Sequence, residues 1–109
     1  MDMLTRLEEL ILLAVLKLED DAYGTTIFNH LLEVTGRKLS LGGVYFPLDR
    51  LTRRGYLEAY TGDATPQRKG LSKRYYRLTV RGLAALEDIR RIHDAMWPAY
   101  EEDLSRKLS

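Results

Sequence analysis

The residues best suited to chemistry lie in one stretch of the chain and share one sign. Residues 37–81 hold eleven basic and three acidic side chains. Residues 1–36 hold two basic and seven acidic, and residues 82–109 four basic and six acidic. A basic middle between acidic flanks points to a face that binds a polyanion. The plainer alternative is a solvated surface rich in lysine and arginine. Nine of the eleven fall in two groups. The first is Arg37, Lys38, Arg50, Arg53 and Arg54, interleaved with Ser40, Gly42, Gly43 and Tyr45; the second is Arg68, Lys69, Lys73 and Arg74.

Catalytic and metal chemistry find no support in the residue types. The chain has no cysteine and only two histidines, His30 and His93, which stand far apart with no ligand spacing. There is no GxxxxGK loop, and nothing composes a nucleophile, a base and an orienting group. No cofactor and no metal are expected. One aromatic cluster remains: His93, Met96, Trp97 and Tyr100 gather around Pro98, and Trp97 is the only tryptophan.

These groups need elements to hold them. Leu4, Leu7, Leu10, Ile11, Ala14, Val15 and Leu18 recur at three- and four-residue steps and predict a first helix. Leu12, Leu13 and Leu16 fill its other faces, so it needs cover on more than one side. Ile27, Leu31, Leu32 and Val34, with Tyr23 or Phe28, predict an amphipathic second helix stopped by Gly36. Ser40 offers an N-cap to a third helix with an inward face of Val44, Leu48 and Leu51, ended by Gly55. Pro47 sits awkwardly in that helix, where it would cost roughly 3 kcal/mol. A bent or loosely wound first turn is therefore expected, with regular helix from Pro47 onward.

The period then changes. "YLEAY" and "RYYRLT" read as two strands, with Leu57 and Ala59 on one face and Tyr76 and Leu78 on another. "TGDATPQRKGLSK" reads as a long flexible tip between them. Thr79 caps a last helix carrying Leu83, Leu86, Ile89, His93, Met96, Tyr100, Leu104 and Leu108 down one side. Pro98 either kinks it or opens a new helix. The expected class is mainly α with a small β-hairpin (α+β). Helices two and three form a helix-turn-helix, and the hairpin falls where a wing would sit. At 109 residues a single unit is expected, one that gains by sharing a core with a partner. The N-terminus lacks a basic signal region, and the apolar run Leu10–Leu16 is too short to span a bilayer, so a cytoplasmic protein is expected.

At this point the chain resembles the PadR family of bacterial transcriptional regulators. The matching residues are "ILLAVL", "YGTTIFNHL", "LSLGGVYFPLDRLTRRGYLE" and "KRYYRLTVRGLAAL", in order along nearly the whole chain. It departs from the commoner pattern at Phe46, which follows Tyr45 where many members place a proline, and at Thr52, where an acidic residue is frequent. Both departures bear on the DNA sequence that helix three reads. The short C-terminal region resembles the compact members with one dimerisation helix.

The resemblance implies a winged helix-turn-helix over residues 1–80 and a dimerisation helix over 81–109. It implies a homodimeric repressor of a pseudo-palindromic operator in double-stranded DNA. The DNA-binding residues would then be Lys38, Ser40, Gly42, Gly43, Tyr45, Arg50, Arg68, Lys69, Lys73 and Arg74. Gly42 and Gly43 remove side chains that would hold a phosphate away; Ser40 either caps the helix or touches phosphate; Tyr45 either meets the backbone or is a half-buried core residue. Arg50 either serves DNA or pairs with Asp49 or Glu58, and Arg53 and Arg54 read as helix-end charges. Leu7, Ile11, Leu86, Ile89, Met96, Tyr100 and Leu104 would form the dimer interface. His93, Met96, Trp97 and Tyr100 would either hold a small aromatic effector, with Trp97 facing its symmetry mate, or simply form dimer core. The competing reading is a winged helix used for protein–protein contact without DNA.

Overall fold

The computed structural model describes residues 3–62, 72–97 and 101–109, the last group with side chains from Ser105 onward. Five helices and one hairpin follow in the order α1 (Arg6–Leu18), α2 (Gly24–Thr35), α3 (Leu41–Arg53), β1 (Leu57–Thr61), β2 (Arg74–Leu78), α4 (Val80–Met96) and α5 (Glu101–Leu108). The expected class, mainly α with a two-stranded antiparallel hairpin, is the observed one. No described helix is long and apolar enough to cross a membrane.

Local chemistry sets most of the boundaries. Thr5 and Glu8 close a capping box at α1: the Glu8 N–H donates to Thr5 Oγ1 at 3.1 Å, and the Thr5 N–H donates to Glu8 Oε1 at 2.8 Å. A 3-10 turn, Glu19–Asp21, leads toward α2, which ends at Gly36 with φ of 66°. That left-handed conformation suits glycine and stops the helix. Ser40 and Thr79 cap α3 and α4 by accepting from the N–H groups of Gly43 and Gly82. Gly36, Ser40 and Thr79 act where the sequence places them.

Helices α1, α2 and α3 surround the core. Ile11, Leu12, Ala14 and Val15 of α1 meet Ile27 and Leu31 of α2 and Val44, Leu48 and Leu51 of α3. Full burial of each large aliphatic side chain here stabilises by about 1.5–3 kcal/mol. Tyr56, Leu57 and Tyr76 of the hairpin and Ala85 of α4 close the remaining side. Gly82 lets α4 lie against the chain entering β1: a Cβ there would collide with the Tyr56 carbonyl oxygen.

Several expectations are corrected. Ile11 is wholly enclosed within the protomer, so it belongs to the core and not to a dimer surface. Leu32 and Val34 do not share the inward face of α2 but stand exposed; its buried aliphatics are Ile27 and Leu31, with Phe28 packed partly against the core. Leu57 pairs with Leu78 and Ala59 with Tyr76, so all four share one face, since opposed residues in an antiparallel ladder point the same way. Of the two readings left open at Pro98, the observed elements give two helices, α4 ending at Met96 and α5 beginning at Glu101. Pro98 itself lies outside the described residues.

Helix α3 departs most clearly. It runs from Leu41 to Arg53 with Pro47 inside it, rather than starting loosely and becoming regular at Pro47. Two features offset the proline. Its ring is buried, so it contributes apolar contact. The carbonyl it opposes belongs to Gly43, the residue type with the most backbone latitude to tilt that carbonyl away.

Candidate nucleic-acid interface

The outward face of α3 is set by spacing. Val44, Pro47, Leu48 and Leu51 are buried, which leaves Gly42, Phe46, Asp49 and Arg53 on the opposite side, all exposed. Gly42 has open space where a Cβ would stand, so nothing inside the chain demands a glycine there. Gly43 differs: a Cβ would come 2.9 Å from Ser40 Oγ, the atom that caps the helix. The missing side chain at position 43 serves the cap. Ser40 is thus a cap whose hydroxyl is already in use, and the leading edge of α3 is open at Gly42.

Tyr45 joins the two helices of the motif. Its ring lies over Gly24, the first residue of α2, so closely that any Cβ at 24 would clash with the hydroxyl and ring carbons. The ring body is therefore packed while the residue stays nearly half exposed. The hairpin is fastened beside the same helix start. The Tyr76 N–H donates to the Ala22 carbonyl at 2.9 Å, and Tyr23 forms a single bridge to Tyr75. Tyr75 lies edge-on to Tyr23 and is stacked on Tyr60.

Together these elements form a cleft of about 500 Å³ between the start of α2, the outer face of α3 and the tip-side end of β2. It brings together four of the residues expected to bind DNA: Gly42, Tyr45, Lys73 and Arg74. It adds six beyond that expected set: Tyr23, Gly24, Thr25, Phe46, Asp49 and Tyr76. Lys73 Nζ sits 3.9 Å over the Tyr23 ring, and the Arg74 guanidinium 5.6 Å from the centre of the Tyr76 ring. Burial raises the Tyr76 hydroxyl pKa above its ordinary value, against the charge of Arg74, so it stays protonated. The cleft therefore offers two cations and a protonated phenol from the hairpin, and a glycine edge, an apolar ring and a carboxylate from α3. Lys38 is exposed in the connection before α3. Arg68 and Lys69 lie outside the described residues.

Arg50 takes a different place. Its Nε donates to Glu8 Oε2 at 2.9 Å, and Arg54 Nη1 lies 3.8 Å from the same oxygen. Glu8 is buried, with 2% of its side chain exposed against 46% for Arg50. Burial pushes the Glu8 carboxyl up; the hydrogen bonds from Thr5 and Arg50 and the Arg50 charge outweigh it and hold the group below its ordinary value. Arg50 pairs with neither Asp49 nor Glu58, since Glu58 is held by Arg77 at 3.2 Å. Its first task is to lock α3 onto α1. A signal for Glu8 was present in the "TRLE" pattern of the capping box, but the pattern is silent about Arg50.

The C-terminal cluster is only partly assembled. His93 Nε2 lies 3.7 Å from Glu9 Oε2 and lines a groove of about 360 Å³ with Leu4, Ile89 and Ile92. Met96 and Trp97 are exposed and do not line that groove. Tyr100 lies outside the described residues, as does the side chain of Leu104. Leu7, Leu86 and Ile89 are half-buried along α1 and α4. No group of three potential metal ligands occurs among the described residues.

The fold has known relatives. A PadR family transcription regulator from Clostridium difficile R20291 is 22% identical, with 96% of this chain and 100% of that chain covered at a TM-score of 0.70. A PadR-like transcriptional regulator from Bacillus cereus is 24% identical, with 82% of each chain covered at a TM-score of 0.68. A PadR-like transcription factor from Bacteroides fragilis is 22% identical, with 94% and 89% covered at a TM-score of 0.70. At such identities the likeness shows the winged helix fold. Among curated proteins no sequence matches. The model of the transcriptional regulator PadR-like family matches residues 12–88, which takes in the core of α1, the helix-turn-helix, the hairpin and half of α4, and the chain belongs to that family.

Proposed function

We propose that this chain is a homodimeric, sequence-specific DNA-binding repressor acting in the cytoplasm, released by a small aromatic or hydrophobic effector. The observation that carries DNA binding is the cleft in which the outer face of α3 meets Lys73 and Arg74 at the tip-side end of the hairpin. In a winged helix-turn-helix the third helix enters the major groove while basic groups beside it engage phosphates. The Gly42 edge lets the backbone of α3 approach the duplex, and the wing cations neutralise the strand that passes the cleft.

Dimerisation rests on apolar surface the protomer leaves uncovered. Leu83, Ile92, Met96 and Trp97 along α4, with Leu13 and Leu16 on α1, are exposed. A second copy would cover such a surface and set two α3 helices roughly 34–36 Å apart, one turn of DNA. Met96 and Trp97 at the end of α4 are then the groups against which an aromatic effector would lie.

The test is duplex DNA binding across a salt series, using the DNA upstream of the chain's own gene. Phosphate contacts require a steep negative slope of log affinity against log salt. Absence of binding at low salt would favour the protein-interaction module instead.

A further inference from the structure

The outer face of α3 carries two side chains that a phosphate-binding surface alone does not require. Phe46 is 75% exposed, the most exposed aromatic residue of the core motif, and one turn before it Gly42 leaves open space. Asp49, three residues on, is exposed, is the only carboxylate on α3, and makes no ion pair among the described residues. Both line the cleft with Lys73 and Arg74. An apolar ring in water gains nothing, and a carboxylate beside phosphates is repelled. Each needs a specific partner to offset that cost.

The major groove holds few such partners. Its apolar group is the thymine C5 methyl, and its donors to a carboxylate are the exocyclic amino groups, of which cytosine N4 is the usual one for an acidic side chain. Resting on the DNA-binding reading above, the geometry points to Phe46 and Asp49 as a two-residue base reader: Phe46 packs on a thymine methyl, and Asp49 accepts from a cytosine amino group close beside it. Asp49 also acts by exclusion, because a base edge that offers only acceptors there leaves its charge unpaired. The basic rim supplies affinity, and these two residues supply choice.

The test begins with selection of bound sequences from duplexes with a randomised centre, using the full chain. In the selected duplex each thymine is then replaced singly by deoxyuridine, which lacks only the methyl group. The wild type should lose about fourfold per half-site at one thymine, the loss expected for one unburied methyl. Phe46→Leu should keep that step, and Phe46→Ala should lose it. Asp49→Ala should bind unselected DNA more tightly and select no cytosine at the neighbouring position. A flat deoxyuridine scan, a step that survives in Phe46→Ala, or an unchanged cytosine preference in Asp49→Ala overturns the assignment while DNA binding stands. Failure to bind any duplex at low salt overturns both. Phe46 is too exposed for its replacement to threaten folding, which thermal melts of each variant check.

Discussion

The carboxylate of Glu8 on α1 and the guanidinium of Arg50 on α3 meet at 2.9 Å across 42 positions of sequence. The pair ties α3 to α1, the helix that begins the core. Arg50→Ala should cost about 1–2 kcal/mol in urea unfolding, the lower end for a buried pair because Arg50 remains half in solvent. The sign with pH follows from the carboxyl. Its folded pKa lies below the ordinary 4.5, so the stabilisation is complete above that value and is lost as pH falls through the lower folded pKa. The stability gap between wild type and Glu8→Gln should therefore be constant above about pH 5 and narrow in acid. A gap that does not change down to the acid unfolding transition would show that the pair contributes nothing of this kind.

Tyr45 and Gly24 should be energetically coupled. Gly24→Ala forces a Cβ into the Tyr45 ring and should destabilise by about 1–3 kcal/mol. Tyr45→Ala removes the obstacle, so the double variant should be more stable than the sum of the two losses. Additive losses in a double-mutant cycle would mean that the contact is relieved by other movement.

The two wing cations should differ from the paired one. Lys73→Ala and Arg74→Ala should each weaken DNA binding about equally for all sequences and lower the salt slope by about 1. Arg77, bidentate to Glu58, should leave both unchanged when replaced by alanine. Equal effects from all three would point to a diffuse field rather than contacts at the cleft.

Trp97 reports on the uncovered end of α4, where it is 58% exposed. Its emission should shift to the blue as protein concentration rises through the dimerisation range. Ile92→Glu should abolish that shift, give a monomer in sedimentation and leave the fold intact, since Ile92 lies outside the core. Adding aromatic compounds to the dimer should quench Trp97. An unchanged spectrum with the dimer intact would remove the effector site from this position.

The sequence by itself determined the elements and their order. Helical spacing, the caps at Ser40 and Thr79, the stops at Gly36 and Gly55 and the alternation in the two strands act within a few residues of each other. Each signal can therefore be read along the chain. The positive charge of the middle region was legible in the same way; the set Gly42, Tyr45, Lys73 and Arg74 came from the family resemblance, and the fold brings the four together at one cleft. Only the tertiary structure decided which apolar residues stay outside, as Leu32, Val34 and Phe46 do, and that Ile11 is enclosed. It alone joined Glu8 to Arg50 and Gly24 to Tyr45, and kept α3 helical through Pro47. Those outcomes depend on what distant segments bring to a shared space, and local pattern carries no information about that.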